Sequence, residues 1–253
     1  MALNGPVVRV AAVGDLHCGK NSQGALQPLF ARVAEAADVL VLCGDLTDYG
    51  LPEEAEVLAA ELRAALRIPA LAVLGNHDYE SGVPGDLKEI LGRAGVCVLD
   101  GEAREIHGVG FAGVKGFAGG FGDRMLGPWG EQAIKVFVRE AVDEALKLEA
   151  ALGHLGTSQR IVLLHYAPIE QTVAGEPPVV VPFLGSSRLE EPINRFAVAA
   201  VFHGHAHHGA PEGRTSTNVP VYNVCMPLLR ERYPDRPPFR VIEVPGSAAE
   251  ARP

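Results

Sequence analysis

The chain has 253 residues, of which 47% are hydrophobic and 21% are charged, so it can bury a substantial core and has the composition of a globular protein. Its 22 basic and 31 acidic residues give a formal net charge of -9, which disfavours a nucleic acid polymer as partner. The most basic stretch, residues 229–236, is interleaved with acids and is predicted to be a solvated loop.

Short apolar runs alternate with segments of helical periodicity, which is the order expected of an α/β fold with a largely buried sheet. The predicted strands are residues 7–13, 39–43, 70–74, 96–99, 161–164, 197–202, 219–224 and 239–244. The predicted helices are residues 26–37, a helix that begins at Pro52, residues 87–94 and residues 131–152. We expect a single domain, with a core at about residues 7–245 and a flexible tail at 246–253.

Polar residues follow five of the predicted strands at their carboxyl ends. The segments are Gly14-Asp15-Leu16-His17, Gly44-Asp45-Leu46-Thr47-Asp48, Gly75-Asn76-His77-Asp78, the solitary His165, and the histidine-rich VFHGHAHHG at 201–209. Open α/β sheets build their sites at the carboxyl ends of strands, so these segments predict one common site. No G-x-S-x-G elbow, P-loop lysine motif or Rossmann glycine motif competes with this interpretation.

Each motif is weak by itself, and a lone histidine at the end of a strand is more often part of a hydrogen-bonded core than a ligand. Together, the motifs D-x-H, G-D-x-x-D, G-N-H-D, a solitary His and G-H-x-H resemble those of the calcineurin-like metallophosphoesterase superfamily, from Asp15 to His207. The resemblance implies a four-layer αββα sandwich of two mixed β-sheets, with two metal ions at one sheet edge. It also implies a stand-alone bacterial-type phosphoesterase.

The resemblance further implies roles for individual residues. One metal ion would be held by Asp15, His17, Asp45 and His207, and the other by Asp45, Asn76, His165 and His205, with Asp45 bridging the two. His77 would protonate the leaving alkoxide as general acid, and Asp48 would orient His77 through its other nitrogen. An Asx turn is the alternative role for Asp48. Asp78 is predicted to stabilise its own loop.

The donor set supports this assignment on chemical grounds. Carboxylate, imidazole and amide oxygen without thiolate suit two divalent or transition metal ions, Mn above all, with Fe, Zn or Mg as alternatives. Two such ions about 3.5–4 Å apart would lower the pKa of a bridging water, so that the bridging hydroxide attacks the phosphoester in line. We expect a small phosphodiester or phosphomonoester as substrate, nucleotides included.

The histidine cluster at 201–209 is predicted to divide into two kinds. In an extended segment, side chains two residues apart point the same way, so His205 and His207 are expected to reach the metals together. His203 is expected to support the site without binding metal, and His208 to be solvated. Two long irregular segments, residues 113–130 and 166–187, are the predicted specificity loops.

Several alternatives stay open at this point. Arg124 in the first specificity loop either pairs with a phosphate or is solvated. The rival of a different class is a non-catalytic, metal-binding interaction scaffold of the same fold, although the presence of every ligand and of His77 favours the enzyme. The chain has no apolar run of about eighteen residues, no signal-peptide pattern and no C-x-x-C pair among its four cysteines. We therefore expect no membrane span and a cytoplasmic location.

Overall fold

The structure is a computed structural model and describes residues 6–246. Its strands form two mixed β-sheets, one of five strands and one of six, with helices packed on the outer side of each. The predicted four-layer αββα sandwich is thereby confirmed. Residues 247–253 of the predicted flexible tail lie outside the described residues, whereas Gly246 donates a hydrogen bond to the Pro6 carbonyl at 2.7 Å.

The described residues contain eleven strands and six α-helices. The strands are β1 (Val7–Val13), β2 (Val39–Cys43), β3 (Ala70–Val73), β4 (Val96–Val98), β5 (Glu102–Ile106), β6 (Val109–Gly113), β7 (Arg160–Leu163), β8 (Val198–His203), β9 (Glu212–Arg214), β10 (Pro220–Asn223) and β11 (Arg240–Pro245). The helices are α1 (Gln27–Ala36), α2 (Pro52–Ala65), α3 (Pro84–Arg93), α4 (Gln132–Gly153), α5 (Glu190–Arg195) and α6 (Met226–Arg232). None of these helices combines the length and the apolar character needed to cross a bilayer.

The two sheets are built mainly from parallel strands. The first sheet has the order β11-β1-β2-β3-β4. Its strands are parallel except β11, the last in sequence, which pairs antiparallel with β1. The second has the order β5-β6-β7-β8-β10-β9, in which β6, β7, β8 and β10 are parallel. Parallel strands end at the same edge of a sheet, so the segments that follow them are brought together.

β2 illustrates why a central strand forms where it does. All five of its residues are buried. Leu40 and Leu42 pack into the layer beneath α1 and α2, while Val39 and Val41 pack into the layer between the two sheets. An uninterrupted apolar run therefore suits both faces of a strand that is covered on each side.

The predicted elements agree closely with the observed ones. All eight predicted strands are present, and each boundary lies within one residue of the predicted position. The predicted helices correspond to α1, α2, α3 and α4. The prediction for residues 229–236 was wrong in its first half, because α6 extends to Arg232 and Leu229 is buried. The apolar residues of this short helix pack into the core, while Arg230 and Arg232 lie in its last turn, where cations are favoured.

The amino terminus of α1 depends on a carboxylate from α2. Leu26, the residue that caps this helix, makes no side-chain hydrogen bond to it. The buried Glu61 instead accepts hydrogen bonds from three backbone N–H groups at the helix start. They belong to Gly24, Leu26 and Gln27, at 2.7, 2.9 and 3.1 Å. Burial opposes ionisation of Glu61, but these hydrogen bonds outweigh it and hold its pKa below its usual value.

Replacing Glu61 with glutamine is expected to lower the free energy of unfolding by about 1–3 kcal/mol at neutral pH, because an amide NH₂ would face backbone donors. The folded-state pKa of Glu61 is depressed, so the stability it contributes is present above the unfolded-state value of about 4.3 and is lost as the pH falls through the folded-state value. Urea unfolding of both proteins at about pH 7 and about pH 3 measures the difference, which should shrink at the lower pH. If the two proteins differed equally in free energy of unfolding at both pH values, the ionised carboxylate of Glu61 would not be the source of the stability.

Candidate metal centre

Side chains from five strand ends meet at one edge of the two sheets. Asp15 and His17 follow β1, Asp45 and Asp48 follow β2, Asn76 and His77 follow β3, His165 follows β7, and His205 and His207 follow β8. Three groups of these residues could each hold a metal ion, because the donor atoms within a group all lie within 4.8 Å of one another. The groups are Asp15, His17 and His207; His17, Asp45 and His77; and Asp45, His165 and His205. These groups contain seven of the nine predicted site residues, and the other two, Asn76 and Asp48, contact His165 and His17.

Asp15 is the buried carboxylate of the first group. Its Oδ1 lies 3.1 Å from Nε2 of His207. Both of its oxygens accept hydrogen bonds from the backbone N–H of His205, at 3.0 and 3.1 Å. Burial opposes ionisation of Asp15, but the hydrogen bond and charge of His207 bring its pKa below its usual value, and the same hydrogen bond raises the pKa of His207. These contacts join the end of β1 in the first sheet to the end of β8 in the second.

Asp45 belongs to both the second and the third group. Its Oδ2 is 3.9 Å from Nε2 of His17, and its Oδ1 is 3.3 Å from Nε2 of His165. The same Oδ1 accepts a hydrogen bond from the backbone N–H of His77 at 2.9 Å. Oδ1 of Asn76 approaches Nε2 of His165 to 2.9 Å, which adds an amide oxygen to this side of the cluster. Asp45 is thus the carboxylate that both halves of the cluster share.

Three of the imidazole rings each have one nitrogen close to an oxygen acceptor. Nδ1 of His17 lies 3.4 Å from the carboxylate of Asp48, and Nδ1 of His165 lies 3.0 Å from the carbonyl of Cys43. Nε2 of His205 lies 3.4 Å from the carbonyl of Phe183. An acceptor on one ring nitrogen fixes the proton there and leaves the lone pair on the other nitrogen for a metal. Burial lowers the pKa of His17, and it lowers that of His205 to about 3, so both rings are neutral at physiological pH.

The surroundings of two ring nitrogens fit metal ions. Nε2 of His17 is buried and has no hydrogen-bond partner among the described residues. His165 has oxygen atoms beside both nitrogens, although a neutral imidazole carries a proton on only one of them. With that proton directed at Cys43, the lone pair of Nε2 faces the oxygens of Asn76 and Asp45. A cation between these atoms relieves the repulsion, so the donor set present fits divalent metals.

Backbone strain is concentrated at the same strand ends. Among the described residues, six that are not glycine have φ between 44° and 72°, in the left-handed region. Four of the six are Asp15, His17, Asp45 and His205. Backbone hydrogen bonds from Asp15 to Gly44 at 2.9 Å, and from His17 to Asp45 at 3.0 Å, hold this conformation. Such strain costs about 1–3 kcal/mol at each position and is characteristic of functional sites.

Two glycines allow the chain to approach the carboxylates. A Cβ atom at Gly75 would collide with the backbone nitrogen and the carboxylate of Asp45. One at Gly204 would collide with the carboxylate of Asp15. The glycines before Asn76 and His205 are therefore required by close approach at the centre of the cluster.

His77 and Asp48 are arranged differently from the expectation. Nδ1 of His77 lies 2.7 Å from the backbone carbonyl of Asp48, whereas the predicted contact was to its side chain. The carboxylate of Asp48 instead faces His17. The rings of His17 and His77 meet edge to face, with their centroids 4.6 Å apart. Asp48 thus positions both histidines, one through its side chain and one through its backbone.

Asp78 lies beneath the cluster and ties two of its loops together. Its buried carboxylate accepts hydrogen bonds from the backbone N–H groups of Leu46, Thr47 and Gly75, at 3.1, 2.8 and 2.8 Å. The hydroxyl of Thr47 donates a further hydrogen bond at 2.6 Å. Burial raises the pKa of Asp78, with these hydrogen bonds acting in the opposite direction. Its contacts agree with the predicted role in loop stability.

The histidine-rich segment after β8 forms a turn, whereas an extended segment was predicted. His205 has φ 68°, and the N–H of Ala206 donates to the carbonyl of Gly204 at 2.8 Å. The tight turn still directs His205 and His207 into the cluster. His203 is fully buried away from it, with Nε2 at 2.8 Å from the hydroxyl of Thr172. His208 is exposed.

Alanine at position 203 is expected to destabilise the protein, while alanine at position 208 should not. His203→Ala removes the hydrogen bonds of this ring to the Thr172 hydroxyl and the Gly204 carbonyl and opens a cavity, which costs about 1–3 kcal/mol. His208→Ala alters an exposed side chain and should stay within about 0.5 kcal/mol of the wild type. Thermal and urea unfolding of the two variants measure this difference. Equal stabilities would contradict the structural role of His203.

Two contributors to this region are not predictable from the sequence. Phe183 acts through its backbone carbonyl, which any residue could supply. The buried ammonium of Lys115 lies 4.8 Å from the ring centroid of Phe117 and 5.3 Å from that of Tyr166. The ring of Tyr166 in turn lies 4.5 Å from that of His205. A lone lysine among glycines carries no motif that would indicate this position.

Comparisons with known proteins identify relatives of this arrangement. The family described as calcineurin-like phosphoesterase matches residues 8–209. A curated protein of Aquifex aeolicus (strain VF5), described as an uncharacterized metallophosphoesterase, is 31% identical over 168 residues. The match covers 65% of this chain but only 57% of that protein, so the chain spans less than two thirds of this relative.

Solved structures share the fold at low sequence identity. Phosphopantetheinyl hydrolase from Mycobacterium tuberculosis has a TM-score of 0.65 and 16% identity, over 92% of this chain and 95% of that one. A putative 5'-nucleotidase from Staphylococcus aureus has a TM-score of 0.53 and 15% identity, over 86% of this chain and 48% of that one. These likenesses show the fold, and the family match over residues 8–209 confirms the resemblance found in the motifs. The chain belongs to the calcineurin-like phosphoesterase family.

Proposed function

We propose that the protein hydrolyses a small-molecule phosphoester, a diester or a monoester, with two divalent metal ions. The observation that carries this proposal is the cluster in which Asp45 is shared between two sets of donor atoms. One ion is assigned to Asp15, His17, Asp45 and His207, and the other to Asp45, Asn76, His165 and His205. Manganese is the first choice for this oxygen and imidazole set, with iron or zinc as alternatives.

When bound, the cations polarise the phosphoryl oxygens and lower the pKa of a water molecule that attacks phosphorus. Two carboxylates, Asp15 and Asp45, do not neutralise two divalent ions. The site therefore stays positive and attracts a phosphate group, although the chain as a whole has a net charge of -9. The strained backbone at the strand ends holds the donor atoms in place before substrate arrives.

His77 is proposed to be the general acid that protonates the leaving oxygen. The Asp48 carbonyl at 2.7 Å from Nδ1 favours a proton on that nitrogen. Nε2 is then the nitrogen that exchanges a proton with the substrate, and imidazole is suited to this role near neutral pH. The contact of Asp48 with His17 and His77 makes Asp48 a positioning residue for both.

Hydrolysis of bis(4-nitrophenyl) phosphate by protein loaded with Mn²⁺ tests the proposal. Release of nitrophenolate is expected, with loss after chelation and recovery after Mn²⁺ is added back. Elemental analysis of the loaded protein should give two ions per chain. A protein that binds two ions and hydrolyses neither diesters nor monoesters would be a metal-binding scaffold, and the proposed function would be wrong.

We further propose that the chain forms one domain that works in a reducing compartment such as the cytoplasm. The buried layer between the sheets contains residues from both of them, which supports a single core. All four cysteines are free, and three are buried. Such thiols are typical of proteins kept reduced inside the cell.

A further inference from the structure

An apolar cavity of about 690 Å³ lies between the two predicted specificity loops and the start of α4. Its walls include Trp129 from the first loop, Ile134 and Phe137 from α4, and Phe183 from the second loop. Trp129 is 72% exposed and Phe183 is 58% exposed, so two large aromatic side chains of the lining are open to solvent. The volume lies within the range of small-molecule sites, about 300–1,000 Å³.

The cavity adjoins the metal centre through two separate connections. Phe183 lines the cavity with its side chain, and its carbonyl lies 3.4 Å from Nε2 of His205. A row of aromatic rings makes the second connection. The centroid distances are 5.0 Å from Phe137 to Phe117, 5.9 Å from Phe117 to Tyr166 and 4.5 Å from Tyr166 to His205. Phe183 thus belongs both to the cavity lining and to the surroundings of His205, which places one wall of the cavity beside the metal centre.

The lining indicates the chemistry of that substituent. Of the described residues that line the cavity, Arg124 alone is charged, and none has a side-chain amide or carboxylate. Against such walls a nucleobase or a sugar would find few of the side-chain partners that its donors and acceptors need. A hydrocarbon chain has no such groups and gains from each methylene that leaves water. Arg124 is exposed, and its positive charge complements an anionic phosphoester.

We infer that the substrate is a phosphoester with one hydrocarbon substituent, which occupies the cavity while the phosphoryl group lies at the metal centre. The inference rests on the proposed function and adds the substrate class. Each methylene buried in the cavity should raise kcat/KM by up to about fourfold, the equivalent of about 0.8 kcal/mol. Chain-length dependence is therefore the property that separates this site from one that recognises only the phosphate.

A binding experiment without turnover is possible because Trp129 is the sole tryptophan of the chain. Octylphosphonate, whose P–C bond is not hydrolysed, is expected to shift the Trp129 emission to shorter wavelength in a saturable way, below its micelle concentration. Methylphosphonate carries the same headgroup and should leave the emission unchanged. Ile134→Asp places a charge in the lining and should weaken octylphosphonate at least about tenfold. Val136→Asp is the matched control on the same helix, since Val136 is 59% exposed and outside the lining.

A kinetic comparison completes the test. The kcat/KM for octyl 4-nitrophenyl phosphate should exceed that for methyl 4-nitrophenyl phosphate by at least about tenfold in the wild type and in Val136→Asp. The ratio should approach one in Ile134→Asp, and circular dichroism of this variant, expected to match the wild type, checks that it is folded. Equal rates for both esters, without a tryptophan response, would overturn the hydrocarbon assignment and leave the proposed function intact. Failure to hydrolyse either ester, with a normal tryptophan response, would overturn the proposed function alone.

Discussion

Asp45→Asn is expected to abolish binding of both metal ions and to lower kcat/KM by more than about 10²-fold. Asparagine has nearly the same shape, so the hydrogen bond from the backbone N–H of His77 can be retained. The negative charge that faces His17 at 3.9 Å and His165 at 3.3 Å is lost. Even residues that only support a metal ligand are worth about 10–100-fold in affinity or activity, and a shared ligand should exceed that range.

Elemental analysis and the nitrophenyl diester assay on the same sample measure the two effects together. Asp235→Asn is the matched control, because Asp235 is exposed and loses the same charge at a distance from the cluster. It should keep two ions and the wild-type rate. Two ions at full occupancy in Asp45→Asn would refute the bridging assignment.

His77→Ala is expected to retain both metal ions and to slow alkyl phosphodiesters by about 10²–10⁴-fold, because the leaving alkoxide is no longer protonated. The loss should be much smaller for a nitrophenoxide leaving group, which needs little protonation. The assay compares a dialkyl phosphate with bis(4-nitrophenyl) phosphate for the wild type and the variant. His208→Ala, an exposed histidine close in sequence to the ligands, is the control and should match the wild type on both substrates.

The result also separates two roles for His77. Donor atoms of His77, His17 and Asp45 lie close enough together to hold an ion. If His77 were a ligand, the variant would lose metal as well as activity, and both substrates would slow equally. Retained metal with a loss that depends on the leaving group identifies the general acid.

The parts of the fold that were predictable are those in which the sequence pattern and burial coincide. β2 has the predicted bounds because a continuous apolar run suits a strand that is covered on both faces, and β1 is likewise apolar and buried from Val10 to Val13. β5 was missed because its charged residues lie at an exposed sheet edge, where pairing with β6 stabilises it without an apolar pattern. β6 was missed because of its glycines. A Cβ at Gly113 would collide with Val73 and Leu99 of the facing sheet, so close packing between the sheets requires a residue of low strand propensity.

At the site, the identities of the clustered residues were predictable and their local geometry was not. Polar motifs after successive strands indicate a common edge whatever the details of each turn. The left-handed conformation of His205 has no sequence signature, since residues other than glycine are uncommon there and even histidine, which is enriched, usually adopts other conformations. Tertiary contacts also decide that the carboxylate of Asp48 faces His17 while its backbone carbonyl faces His77. A backbone oxygen such as that of Phe183 cannot be read from residue types at all.

The division of the site between the two sheets has a consequence for how the chain matures. The first sheet contributes Asp15, His17, Asp45 and Asn76, and the second contributes only imidazoles, those of His165, His205 and His207. During synthesis the proposed ligands of the first sheet emerge before those of the second, and the first sheet is completed only when β11, which follows all of them in the chain, pairs with β1. A nascent chain therefore lacks a full ligand set. With the proposed ligands, metal binding would be a late event that requires correct docking of the two sheets. A free ion concentration of about 100 times the dissociation constant would then add about 2.7 kcal/mol per site to the free energy of unfolding.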